Sequence, residues 1–161
     1  MKVTLIAGVF VAGMVTGGVW THAQQPAPAE VPAQRVTGIG GVFFKAKDPK
    51  ALSAWYRDTL GIQLQGGAAF ALFEWRERED SERLGHTVWS LFPSTTKYFA
   101  PSEAAFMVNY RVRDLDRMLA QLRALGVRIE PKVIEDFNGR FAWIVDPEGN
   151  KIELWEPKAG Y

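Results

Sequence analysis

The chain contains no cysteine and only two histidines, His22 and His86, so any chemistry falls to carboxylates, amides, hydroxyls and cationic side chains. Disulfides, thiolate nucleophiles and zinc-thiolate centres are excluded. The most informative carboxylate is Glu153, within Asp146-Pro147-Glu148-Gly149-Asn150-Lys151-Ile152-Glu153-Leu154. It alternates with Lys151 and Trp155, the spacing of a strand whose alternate side chains share a face. A carboxylate on the inner face of a sheet is costly unless it is paired or hydrogen-bonded. Glu153 therefore reads first as one half of a structural ion pair, and is the best candidate should the site hold a general base or substrate acceptor. Met107, Asn109 and Arg111 have the same alternation, which makes Arg111 the natural partner for Glu153. Phe43 and Lys45 form a third such set with Gly41, and His86, Val88 and Ser90 a fourth. The charged run from Arg76 to Arg83 reads as a solvated hairpin tip.

These residues need strands to hold them, and the chain supplies strands in two similar blocks. Phe44-Lys45-Ala46-Lys47-Asp48 resembles Tyr110-Arg111-Val112-Arg113-Asp114, and Leu60-Gly61-Ile62 resembles Leu125-Gly126-Val127. Between the matching ends lies a helix in each copy. Asp48 caps the first and Pro49 suits its first turn; Leu52, Trp55, Tyr56 and Leu60 make its apolar stripe, and Gly61 ends it. Asp114 caps the second, with Leu115, Met118, Leu119, Leu122 and Leu125 as its stripe and Gly126 as its end. Strand-like runs precede the helices at 40–46 and 105–112. Three more follow each, at 63–65, 70–75 and 87–92, then at 128–135, 140–145 and 151–156. Asp146 to Gly149, with proline second and glycine fourth, suits a type I turn between the last two. The pattern is βαβββ, twice.

A tandem βαβββ repeat that closes on the 146–154 stretch resembles the vicinal-oxygen-chelate superfamily, which includes glyoxalases, bleomycin-resistance proteins and ring-cleaving dioxygenases. The likeness covers residues 37–157. It implies an α+β fold in which two modules, about 37–95 and 104–157, curl a mixed sheet into a cup with the helices outside. Strand parity then turns Phe43, Lys45, Ser90, Asn109, Arg111, Glu153 and Trp155 toward the cup. Lys45 and Arg111 would favour a polar or anionic small molecule, with Phe43 and Trp155 as walls.

Metal-dependent members of that superfamily hold a divalent ion with one ligand from each of four strands. Here the four positions fall on Gly41, Ser90, Met107 and Glu153. Only Glu153 matches, since glycine has no side chain and a thioether suits none of the usual hard cations. A shifted set of His86, Asn109 and Glu153 is the weak alternative. No cofactor is expected from the residues themselves; a divalent metal is the one the family would bring.

Residues 1–23 read as an address. A basic Lys2, the apolar run from Val3 to Trp20 and a small-residue close at Ala23 make a secretory signal. The rival reading is a retained anchor, with residues 3–20 tethering the domain to a membrane. Residues 24–36, rich in Pro, Ala and Gln, read as a linker, and 158–161 as a tail. Without the first 24 residues, the 19 basic groups fall to 18 by loss of Lys2, against 18 acidic ones. A formally neutral domain has no broad attraction for nucleic acid.

Two functions follow. The first is an exported domain, periplasmic or secreted, that binds a small molecule in its cup without the four-ligand metal site. The alternative is a metal-dependent lyase or dioxygenase-type enzyme with a non-standard ligand set. The resemblance also implies homodimerisation, although two modules in one chain can complete a cup alone.

Overall fold

In the computed structural model, which describes residues 33–161 except 79, both helices begin at the expected aspartates. Asp48 accepts from the Ala51 amide at 2.9 Å at the head of α1 (Pro49–Leu60). Asp114 does the same for Arg117 at the head of α2 (Leu115–Ala124). Glu156 adds a second carboxylate there, accepting from the Leu115 amide at 2.8 Å, where the helix dipole favours negative charge. Gly61 and Gly126 end the helices at φ 70 and 72. The signal or anchor reading of 1–23, the apolar run 3–20 and most of the linker lie outside the described residues. Of the linker, Gln34 is held to α2 by reciprocal bonds with Gln121, at 2.8 and 3.0 Å. No helix among the described residues is long and apolar enough to cross a membrane.

The strands are β1 (Gly38–Ala46), β2 (Phe70–Arg76), β3 (Leu84–Pro93), β4 (Phe106–Arg111), β5 (Arg128–Asp136), β6 (Gly139–Val145) and β7 (Lys151–Pro157). They form one seven-stranded mixed sheet in the order β2-β3-β1-β4-β7-β6-β5. The duplication is visible in the pairing: β1 runs parallel to β3 as β4 runs parallel to β7. The two modules meet where β1 and β4 pair antiparallel. Residues 63–65 do not form the expected eighth strand; only Leu64 makes a bridge, to Ala71. Gly66 and Gly67, at φ 56 and 72, reverse the chain at once into β2 and leave no length to pair.

Each helix covers its own module. Leu115, Met118 and Leu119 of α2 pack with Val112, Ala142 and Leu154, all buried. Removing such side chains from water contributes roughly 1.5–3 kcal/mol each for the larger ones. Helix α1 sits more lightly. Tyr56 packs edge-on to Trp89 with ring centres 4.8 Å apart, but Leu52, Trp55 and Leu60 are 36, 51 and 61 % exposed. The face turned inward is centred on Ser53 and Tyr56, a rotation away from the stripe read in the sequence. A third cluster, Phe43, Phe99, Met107 and Trp143, belongs to no helix. The site lies beside it.

The 146–150 turn fixes the register of the last hairpin. The Gly149 amide donates to Asp146 O at 3.0 Å, and Asp146 Oδ1 accepts from the amides of Glu148 and Asn150 at 2.9 and 2.8 Å. With Asn150 Nδ2 also donating, these bonds hold the Asp146 carboxyl below the ordinary carboxylate range. Val145 consequently pairs with Lys151, Trp143 with Glu153 and Phe141 with Trp155.

Candidate functional site

Register places Asn109 beside Glu153 and Arg111 beside Trp155 across the parallel β4–β7 pair. The expected Arg111–Glu153 ion pair therefore does not form. Glu153, 2 % exposed, is held by neutral donors instead. Asn109 Nδ2 donates to Oε1 at 2.7 Å. Trp143 Nε1 donates to Oε2 at 2.8 Å, and the Tyr98 hydroxyl donates to the same oxygen. Burial pushes the Glu153 carboxyl up from its ordinary value, against the three hydrogen bonds. The Tyr98 hydroxyl is pushed up by burial and by the carboxylate it faces. Lys151, the cation nearest in sequence, is turned aside: its Nζ donates to Tyr98 O at 2.9 Å and lies over the Tyr98 and Trp143 rings.

A cavity of about 230 Å³ opens over this centre. Its apolar wall includes Phe43, Phe92, Phe141 and Trp155, with Ser90, Asn109 and Glu153 among its polar groups. Asn109 Oδ1 is buried without a hydrogen-bond partner. With Glu153 ionised the amide cannot be turned to relieve this, because Oδ1 would then face Glu153 Oε1 across 2.7 Å. A carboxylate has about four lone-pair sites, of which three accept bonds here. The centre thus retains acceptor capacity on Asn109 Oδ1, which lies against Gly40, and on one lone pair of Glu153, beside an aromatic enclosure.

Of the seven residues expected at the cup, Phe43, Ser90, Asn109, Glu153 and Trp155 line this cavity. Lys45 and Arg111 do not. Lys45 Nζ lies 5.4 Å from the Phe99 ring centre, and Arg111 is enclosed by Trp75 and Trp155. The anionic preference drawn from those two cations has no basis in this cavity, whose lining carries no cationic side chain. Tyr98, Trp143, Phe92 and Phe141 escaped the sequence reading. Trp143 and Phe141 were within reach, since counting back from the 146–149 turn pairs them with Glu153 and Trp155. Tyr98 lies between β3 and β4, where no periodicity marks it.

The four positions at which the superfamily holds a metal do not fit one here. A Cβ on Gly41 would come within 2.7 Å of the Phe43 ring, so the ligand's place is filled by hydrocarbon. Met107 is 1 % exposed and packs with Phe43, Phe99 and Trp143. Glu153 is surrounded by N–H and O–H donors, which point their positive ends where a cation would sit. The shifted set is not assembled either. His86 does not line the cavity that Asn109 and Glu153 share, and its Nε2 lies 3.7 Å from Glu74. No group of three or more His, Cys, Asp or Glu able to hold an ion occurs among the described residues.

A larger cleft, about 540 Å³, opens between residues 33–37, Trp75, Glu77 and the arginines Arg78, Arg113 and Arg117. Its arginines are exposed, and it lacks the converging buried polar groups that mark the smaller cavity.

Residues 41–155 match the family model for the glyoxalase-like domain. The uncharacterized protein YraH of Bacillus subtilis (strain 168) is 25 % identical over 115 residues, which span 68 % of this chain and 90 % of that one. Among solved structures, a Streptomyces coelicolor methylmalonyl-CoA epimerase in complex with 2-nitronate-propionyl-CoA superposes with a TM-score of 0.52. It is 18 % identical, over 75 % of this chain and 97 % of the other. At that identity the likeness concerns the fold alone. Duplicated modules, a central β1–β4 seam and a cavity on the sheet face away from the helices agree with the match over 41–155, and the chain belongs to the glyoxalase-like domain family of the vicinal-oxygen-chelate superfamily.

Proposed function

We propose that this is an exported small-molecule binder, whose cup takes a compact ligand with an aromatic or aliphatic body and an N–H or O–H donor at one end. The observation that carries the reading is the unpartnered acceptor Asn109 Oδ1, buried beside Glu153 in an aromatic cavity of about 230 Å³. Buried polar atoms are nearly always satisfied, and an exception in a pocket marks where a ligand group belongs. The ligand's donor meets Asn109 Oδ1 and the remaining Glu153 lone pair, and its body stacks among Phe43, Phe92, Phe141 and Trp155. Metal-dependent chemistry is not favoured, because the donor set around Glu153 opposes a cation.

Matched pairs test this directly. Indole and benzamide are expected to bind about tenfold more tightly than N-methylindole and N,N-dimethylbenzamide, as an unmet buried acceptor costs about 1–3 kcal/mol and about 1.4 kcal/mol is tenfold. Isothermal titration on the full chain measures both pairs. Equal affinity within each pair sinks the donor requirement.

Export rests on the 1–23 pattern, and delivery by cleavage or by tethering through 3–20 gives the same compartment. Fractionation of cells producing the untagged chain is expected to place it outside the cytosol; recovery in the cytosolic fraction overturns that part of the proposal.

A further inference from the structure

Ser90 is the polar residue of the cavity that contact with Asn109 and Glu153 leaves unused. It is half-buried on β3, and register surrounds it with hydrocarbon. Phe43 of β1 and Phe70 of β2 are its partners on the two flanking strands. Val88 and Phe92 share its face two residues either way along β3. All four line the cavity with it, and none of their side chains offers a hydrogen-bonding group. Ser90 forms no side-chain hydrogen bond among the described residues. A hydroxyl carries one donor and two acceptor lone pairs, so this one keeps its proton for a group that enters the cavity.

Phe43 holds the two polar ends of the cavity apart. Gly41 pairs with Asn109, and Asn109 with Glu153, which makes one transverse row of the sheet. Ser90 and Phe43 belong to the next row. With no side chain at Gly41 the Phe43 ring leans across, so that a Cβ there would lie 2.7 Å from it. The ring therefore covers the sheet between the hydroxyl and the Asn109–Glu153 centre. A planar body stacked on it has one edge toward each. The two ends differ in kind. The Asn109 oxygen and the ionised Glu153 accept, whereas Ser90 is able to donate. Asn138, the remaining polar side chain of the lining, lies between β5 and β6, across the β1–β4 seam from Ser90.

We infer that Ser90 is the second specificity determinant of the cavity and donates to an oxygen at the far end of the ligand. The ligand class is then a flat aromatic molecule with an N–H or O–H donor at one end and an ether or carbonyl oxygen at the other. This rests on the donor-end reading proposed above and adds the opposite pole. 5-Methoxyindole and 5-ethylindole test it, because they share the N–H and nearly the same shape and differ in an oxygen for a methylene. Isothermal titration on the full chain is expected to give the methoxy compound a Kd about fivefold lower, the worth of one net hydrogen bond. In Ser90→Ala the two compounds bind alike, while indole keeps its advantage over N-methylindole. Equal affinities in the parent overturn the inference, as does a methoxy preference that survives in Ser90→Ala, which would place the acceptor at Asn138. Failure of both compounds to bind the parent overturns it too. A Ser90-dependent methoxy preference without an indole preference sinks the donor end and upholds the Ser90 contact, so the two readings fail separately.

Discussion

Glu153→Leu is expected to destabilise the domain by about 2–5 kcal/mol, the largest loss from any single change at the site. The carboxylate is the common acceptor for Asn109 Nδ2, Trp143 Nε1 and the Tyr98 hydroxyl. Leucine fills a similar volume but accepts nothing, which leaves the Asn109 and Trp143 donors orphaned at 2 and 5 % exposure. Glu153→Gln retains one carbonyl oxygen and should lose about half as much. Urea denaturation with an unchanged slope measures both.

The same residue predicts a pH dependence of definite sign. Burial raises the folded carboxyl above its ordinary value of 4.5, so in that window the native state binds more protons than the unfolded chain. Stability then falls as pH rises from the ordinary glutamate range to the raised folded value, and is level above it. Parent and Glu153→Gln should therefore converge as the parent deprotonates, the difference being greatest on the acid side. A difference that is flat through this window means that Glu153 is not held up by its surroundings.

The helix ends were legible because capping is local. Asp48 and Gly61, or Asp114 and Gly126, need only their own neighbours to act. The duplication was legible for the same reason, as each module repeats its local signals. What failed depended on register. Parity alone put Arg111 and Glu153 on one face, but their pairing turned on the β4–β7 offset, which sets Asn109 beside Glu153. An offset of two residues exchanges a partner for a neighbour while keeping the face. Residues 63–65 were read as strand from composition, and Gly66-Gly67 decided otherwise. Helix α1 shows a third kind of limit. Its spacing gives an apolar stripe, but which part of the stripe meets the sheet is set by Ser53 and Tyr56 against Trp89.

The site has a further dependence that no pattern in the chain announces. Residues 94–105 join the modules without regular structure, yet they carry Tyr98, which donates to Glu153, and Phe99, which is 0 % exposed. Phe99 packs with Phe43, Met107 and Trp143, so an irregular segment is anchored in the middle of the cavity-side core. Phe99→Ala is expected to cost about 3–5 kcal/mol, as a fully buried ring leaves a cavity that strands cannot close around. The effect should also reach the centre, because Phe43 and Trp143 lean on Phe99 while Tyr98 is its chain neighbour. With the anchor gone, Tyr98 loses its fixed approach to Glu153, and the discrimination between indole and N-methylindole should shrink along with the unfolding midpoint. Leu125→Ala, at a residue 70 % exposed, should alter stability by less than about 0.5 kcal/mol and leave ligand discrimination as it was. If Phe99→Ala lowers stability as expected but keeps the full indole preference, the segment serves the fold alone, and Tyr98 is positioned by Phe92, on which it stacks at 5.4 Å.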